Sequence, residues 1–169
     1  FGVQQALTEA GIQTKTLGAL VIGAGGAARA GVLALQKLGA KRIQIANRTD
    51  RRAEQVAEEL GGEFLPWSRL REAEQADLLL QSTPLGSHLT SESLSEEFLE
   101  ICPLARSQVV FDMVTRETPL LREAAKLGKV CIPGSRMLLF QAVEQFRLFT
   151  GIEAPQSVLE GALHQALAV

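Results

Sequence analysis

From Leu17 to Ile132 the chain alternates short blocks of Val, Ile and Leu with longer segments in which apolar residues recur every three or four positions. Apolar blocks bounded by turn residues fit strands buried on both faces, and the longer amphipathic segments fit helices lying across them. The pattern predicts six strands: ALVIG at 19–23, RIQIAN at 42–47, EFLP at 63–66, DLLLQS at 77–82, QVVFDM at 108–113 and KVCI at 129–132. Helices are predicted over 3–10, 26–39, 50–62 and 118–128, with a weaker one over 68–75. Those before Gly39, Gly61 or Gly62, and Gly128 end where glycine relieves the left-handed strain of a helix C-cap. The Ser- and Glu-rich segment 86–107 reads as a loop with one short helix, and two further helices, 135–151 and 155–168, follow Pro133. Alternating strands and helices predict an α/β fold, a Rossmann-like doubly wound parallel sheet of about six strands flanked by helices. No repeat, low-complexity tract or long linker divides residues 1–169, so one domain is expected.

The stretch VIGAGGAARAG, Val21 to Gly31, puts the smallest residues between the first strand and the next helix. Gly23-x-Gly25-x-x-Ala28 in that context is a dinucleotide fingerprint. Gly23 permits a tight turn, Gly25 lets backbone N–H groups approach a pyrophosphate, and Ala28 lets helix and strand pack closely. Unpaired N–H groups and the positive end of the helix dipole favour an anion there. The end of the second strand meets the adenosine ribose in such folds, and it reads ANRTDRR here. Asn47, Arg48 and Thr49 offer donors and a guanidinium, and Arg52 follows early in the next helix. An acid at that place selects NAD, whereas arginine accommodates the extra phosphate of NADP. Asp50 reads as an N-cap or first-turn acid, and Arg51 fits a solvated helix face as well as a phosphate.

Composition narrows the partners. Seventeen basic and 19 acidic residues among 169, a net charge of −2 and no basic block argue against nucleic acid. Cys102 and Cys131 lack the spacing of a zinc site or redox dithiol, which fits a reducing, cytoplasmic setting. No apolar run approaches the roughly 18 to 20 residues of a membrane span, and no signal-peptide order opens the chain. A soluble protein without a membrane partner or bound metal is expected. The chain starts at Phe1 inside an apparent helix, so a fragment or processed chain is expected.

The motifs GAGGAARA, ANRT, STPLG, FDMV followed by TPLLREAAKLG, and PGSRMLLFQAVEQFRLFTG occur in this order over nearly the whole chain. Together they resemble the C-terminal, NADP-binding part of shikimate dehydrogenase. The resemblance implies reversible NADPH-dependent reduction of 3-dehydroshikimate to shikimate, a step of aromatic amino-acid biosynthesis. It implies that Gly23, Ala24, Gly25, Gly26 and Ala27 hold the pyrophosphate and that Asn47, Arg48, Thr49 and Arg52 hold the adenosine end. Ser82 and Thr83 would lie beside the nicotinamide ribose, Met113 near the nicotinamide ring, and Gly134 would contact the nicotinamide portion through its backbone. Gln141 would reach the substrate hydroxyls. Met113 and Met137 also fit an ordinary core, and Gln141 a solvated helix position.

Several residues depart from the family pattern. Gln81 stands where the family has asparagine, Ser87 where a methionine often follows the turn, Thr115 where a substrate-contacting tyrosine is common, and Ser135-Arg136 where Leu-Gly is usual. Hydride transfer to a ketone needs a proton donor for the developing alkoxide. The family takes it from a lysine and an aspartate of a preceding substrate domain. None of Lys15, Lys37, Lys41, Lys126 and Lys129 matches that lysine, and His88 and His164 do not replace it. The expectation is a domain that binds NADP(H), lacks catalytic residues of its own, and meets its substrate with an N-terminal domain toward which helices 136–168 return. The other readings are the cofactor domain of a related two-domain oxidoreductase, of quinate/shikimate or glutamyl-transfer-RNA reductase type, and a non-catalytic nucleotide-binding module. Oligomeric state stays open.

Overall fold

All six predicted strands are present in the computed structural model, which describes residues 1–73, 76–87 and 92–167. They are β1 (Gly18–Ile22), β2 (Arg42–Ala46), β3 (Glu63–Phe64), β4 (Leu78–Gln81), β5 (Val109–Asp112) and β6 (Val130–Pro133). All pair in parallel in the order β3-β2-β1-β4-β5-β6. Winding runs outward from β1 to β3, then returns to β4 on the other side of β1 and runs outward again. The helices are α1 (Gly2–Glu9), α2 (Gly26–Lys37), α3 (Asp50–Leu60), α4 (Glu92–Ile101), α5 (Pro119–Lys126), α6 (Gly134–Thr150) and α7 (Gln156–Leu167).

Strand periodicity sorts the apolar side chains onto two faces. Ala19, Val21, Ile43, Ile45, Leu78, Leu80 and Phe111 point to one face, where they pack with Ala28, Val32 and Leu35 of α2, Ala53 and Val56 of α3, and Leu7 of α1. Leu20, Ile22, Leu79 and Val110 point to the other, against Phe98 of α4 and Leu120, Leu121 and Ala124 of α5. The continuous apolar blocks in the sequence are thus two interleaved cores, which is why the strands do not read as alternating.

Two segments differ from expectation. Residues 68–75 read as a weak helix, whereas the structure has a 3-10 helix over Trp67–Glu72, with residues 74 and 75 outside the described residues. Leu70 is buried within it, and Ala73 directly after it is buried in the same cluster. In the Ser-rich segment, α4 spans ten residues and buries Phe98, whose ring stacks on Trp67 with centroids 6.4 Å apart. His88 lies outside the described residues. Among the described residues no helix is long and apolar enough to cross a membrane, and no cluster of His, Cys, Asp and Glu is placed to hold a metal.

Close approach rather than turn geometry explains the glycines that join helices to the sheet. A Cβ on Gly31 would meet the Leu80 methyls at 3.1 and 3.2 Å and Met113 Cε at 3.3 Å, so α2 sits unusually near β4. At the β6-to-α6 junction the fit is tighter: a Cβ on Gly134 would fall on the Met113 peptide carbonyl and lie 2.7 Å from the Val114 carbonyl oxygen. Gly134→Ala is therefore expected to force the start of α6 off the Met113–Val114 backbone and to lower stability by about 1 to 3 kcal/mol. Urea unfolding measures this, and an unchanged midpoint would contradict it.

Candidate functional site

Where the winding reverses, between β1 and β4, the loops leaving the two strands diverge to opposite faces and open a crevice at the carboxyl ends of the strands. Gly23 leaves β1 there with φ +119°, in the left-handed half of backbone space that favours glycine. Its N–H donates to the Ala46 carbonyl at 2.8 Å, and a Cβ on it would fall on the Ser82 hydroxyl oxygen. Gly25 is the N-cap of α2 and makes no side-chain cap. A Cβ on Gly25 or Gly26 would meet nothing within 4 Å. Packing inside the protein does not require either glycine, so the space they leave faces outward, over N–H groups that have no acceptor within the helix. Ala24 and Ala27 flank them, and Ala28 one residue on is fully buried against the sheet.

The end of β2 forms the left bank. The Asn47 side-chain amide donates to the Thr49 carbonyl at 3.1 Å and so shapes the turn into α3. Asp50 is the acid of the first turn of α3, and its Oδ1 accepts the Trp67 N–H at 2.8 Å. That bond turns one oxygen of the exposed carboxylate toward the β3 side of the fold. Arg48, Thr49, Arg51 and Arg52 are exposed. None of these three arginines pairs with a carboxylate among the described residues, in contrast to Arg29, which pairs with Glu59.

The right bank is built from the ends of β4 and β5 and the start of α6. The Ser82 hydroxyl donates to the Ile22 carbonyl at 2.7 Å and stitches β4 to β1 across the reversal. Gln81, 1% exposed, is folded into the following turn: its Nε2 donates to the Thr83 and Leu85 carbonyls, each at 3.1 Å, and its Oε1 accepts the Thr83 N–H. The longer glutamine in place of asparagine therefore reaches the whole STPLG turn. Gly86 closes that turn with φ +83° and lies where a Cβ would approach Thr118 Cβ at 3.0 Å. Met113 is buried and reaches back to Gly31 under α2, and Gly134 abuts the Met113 and Val114 carbonyls.

Other expected residues stand apart. Gln141 is exposed on α6, where its Cγ lies 2.7 Å from the position of a Cβ on Gly2, so it covers the start of α1. Arg136, left open by the sequence, bonds Glu9 of α1 through Nε at 2.8 Å, pairs also with Glu160 of α7, and lies 5.6 Å from the centroid of the Phe140 ring. It ties three helices together. Thr115 lines a cleft of about 620 Å³ with Arg116, Leu121, Cys131, Ser135 and Leu167. His164 is exposed on α7.

Sequence reasoning assigned no role to Asp112 or Thr118, yet they organise the right bank. Asp112 is 0% exposed. Its Oδ2 accepts the Thr118 hydroxyl at 2.7 Å, and its Oδ1 accepts the Val114 N–H at 3.0 Å and faces Gln81 Nε2 at 3.5 Å. Thr118 in turn caps α5 by accepting the Leu121 N–H at 3.2 Å. The signals were an acid ending an otherwise apolar strand and the Thr-Pro pair of an N-cap followed by proline.

Comparison with known proteins places the chain. The family described as "Shikimate / quinate 5-dehydrogenase" matches residues 4–123, and the "Shikimate 5'-dehydrogenase C-terminal domain" matches residues 134–164. A shikimate dehydrogenase (NADP(+)) of Methanothrix thermoacetophila is 37% identical over 169 residues, which cover 99% of this chain and 61% of that protein. Among solved structures, shikimate 5-dehydrogenase of Thermus thermophilus in complex with NADP(H) and shikimate is 36% identical with a TM-score of 0.78, covering 98% of this chain and 61% of that one. Quinate dehydrogenase of Corynebacterium glutamicum in complex with NAD is 26% identical with a TM-score of 0.82, covering 99% of this chain and 61% of that one. The chain thus spans about three fifths of the length of these relatives.

Burial pushes the Asp112 carboxyl up to about 6, against the opposing pull of the Thr118 and Val114 hydrogen bonds. A native value above the ordinary 3.8 means that the folded state holds the proton more tightly than the unfolded chain between about pH 4 and pH 6. This group's contribution to stability therefore falls as pH rises through that interval. Relative to Asp112→Asn, the wild type is expected to gain about 2 to 3 kcal/mol on acidification from pH 7 to about pH 4. Urea midpoints across that range measure it, and a difference that stays constant with pH would contradict it.

Proposed function

The chain belongs to the shikimate/quinate 5-dehydrogenase family, and from that premise we propose that its 169 residues are the NADP(H)-binding domain of a shikimate dehydrogenase. The whole enzyme would reversibly reduce 3-dehydroshikimate to shikimate. The observation that carries the cofactor reading is the crevice itself: an uncapped helix N-terminus under open space at Gly25 and Gly26, placed at the reversal of strand order. That arrangement suits a pyrophosphate, which needs backbone N–H donors and room for its oxygens.

In this reading Gly23, Ala24, Gly25, Gly26 and Ala27 hold the pyrophosphate. Arg48 and Arg52 hold the 2′-phosphate with Thr49, and Asn47 shapes their turn. Exposed arginines that pair with no carboxylate among the described residues, beside an Asp50 turned by the Trp67 N–H toward β3, support NADP over NAD. Ser82 and Thr83 border the nicotinamide ribose, while Met113 and the Gly134 backbone set the depth of the nicotinamide subsite. When bound, the cofactor supplies the hydride. Gln141 reaches substrate from the α6 side.

The position of the lysines supports a division of labour. In a parallel sheet a helix that connects two strands starts at the carboxyl end of one and finishes at the amino end of the next. Lys15 precedes β1, Lys37 and Lys126 end α2 and α5, and Lys41 and Lys129 precede β2 and β6. All five therefore lie at the end of the sheet away from the crevice. Asp112 is fully buried with its oxygens committed, so it does not deliver a proton to a bound ketone. The proton donor would come from a substrate domain docked on α6 and α7. Leu148, Phe149, Ile152 and Val158 are 65%, 84%, 64% and 63% exposed, and such a cluster of large apolar side chains suits a contact surface.

Isothermal titration tests the reading. Residues 1–169 are expected to bind NADPH at least about ten-fold more tightly than NADH, the scale of one charge-assisted hydrogen bond to phosphate. Arg48→Ala should remove most of that preference and leave NADH affinity unchanged. The chain of residues 1–169 alone should not oxidise shikimate. Equal affinities for NADPH and NADH, or turnover by this chain, would refute the assignment.

A further inference from the structure

Three segments of the right bank depend on one buried carboxylate that touches neither the crevice nor solvent. The first is the turn 82–86, held by Gln81 through the Thr83 N–H and carbonyl and the Leu85 carbonyl. The same amide nitrogen, whose two protons point at those carbonyls, also faces Asp112 Oδ1 at a longer 3.5 Å, so the carboxylate bounds the turn from below. The second is the segment after β5, turned by the bond from the Val114 N–H to Asp112 Oδ1. Val114 then receives the N–H of Gly134 on its carbonyl at 3.2 Å, which carries the constraint to the third, the start of α6. Thr118 links the carboxylate to the cap of α5, against which Gly86 packs without room for a side chain.

The left bank has no such dependence. Gly23 is bound to Ala46, Asn47 to Thr49, and Asp50 to Trp67. A change at Asp112 therefore acts first on Thr83, Met113 and Gly134, while Ser82 stays tied to the Ile22 carbonyl and the glycine loop and the arginines keep their own bonds.

We propose that Asp112 is the positioning residue for the nicotinamide half of the cofactor site, acting through Gln81, Val114 and Thr118 and without contact to the cofactor. The inference rests on the cofactor reading above. It deepens that reading by dividing the crevice into two banks that can be perturbed separately.

The experiment compares two ligands on residues 1–169 by isothermal titration: NADPH, which spans both banks, and adenosine 2′,5′-bisphosphate, which carries only the adenosine half. Asp112→Asn is expected to weaken NADPH by about five-fold or more, the scale of one hydrogen bond, and to leave the bisphosphate within about two-fold of wild type. A merely structural residue would weaken both ligands together. Equal weakening of both by a folded variant, or no change in either, overturns the inference. Should Asp112→Asn fail to fold, Asp112→Glu decides by the same criterion, since it keeps the charge but shifts the carboxylate by one methylene relative to the Val114 N–H and the Thr118 hydroxyl. Failure of the wild type to bind the bisphosphate would instead sink the cofactor reading itself, a result distinct from a change in the ratio of the two affinities.

Discussion

The reversal of strand order between β1 and β4 is the constraint on which the rest of the molecule depends. A right-handed crossover from each parallel strand puts α2 and α3 on one face of the sheet and α4 and α5 on the other. Only at the junction of the two halves do adjacent strands send their connections to opposite faces, and only there does a crevice open. The chain supports that opening with two kinds of contact. The Ser82 hydroxyl and N–H both donate to the Ile22 carbonyl, at 2.7 and 2.9 Å, and keep β1 and β4 in register at the edge of the gap. Gly23 has no side chain to collide with that hydroxyl.

Small residues around the crevice do three different jobs. Gly23 and Gly86 take conformations with positive φ at turns that also leave no room for a side chain. Ala28, Gly31 and Gly134 let a helix approach the sheet or a neighbouring carbonyl. Gly25 and Gly26 do neither, since nothing within the protein lies where their side chains would be. Gly26, the first residue of α2, would lose no packing as alanine, and Gly25 stands at the N-cap, where glycine is itself favoured over alanine. Their openness suits a ligand from outside the chain, and the unpaired N–H groups beneath them favour an anion.

Much of this was legible in the sequence because strand and helix periods differ so clearly. The six apolar blocks became the six strands, and the glycines after helices became left-handed caps, as Gly61 shows at φ +77°. The Gly-x-Gly-x-x-Ala spacing falls at the reversal of strand order, at the start of α2, and the ANRT stretch at the end of the neighbouring β2. The polar scaffolding was not legible. Gln81, Asp112 and Thr118 are 37 residues apart at their extremes, 81 and 118, and meet only because β4 and β5 lie side by side. Likewise, no local pattern shows that Arg136 would reach Glu9 and Glu160 rather than the crevice, since α1 and α7 are brought to α6 only by the fold.

The central claim is that the crevice at the reversal holds a dinucleotide by its pyrophosphate on α2 and by its adenosine phosphate on the end of β2. Titrating NADP+ into a ¹⁵N-labelled sample of residues 1–169 and following backbone amide resonances tests it most directly. The account predicts that the largest shifts fall on Gly25, Gly26 and Ala27 and on Arg48 and Thr49, with smaller ones at Ser82 and Thr83. Shifts confined to another surface, such as the cleft lined by Thr115 and Leu167, would contradict it.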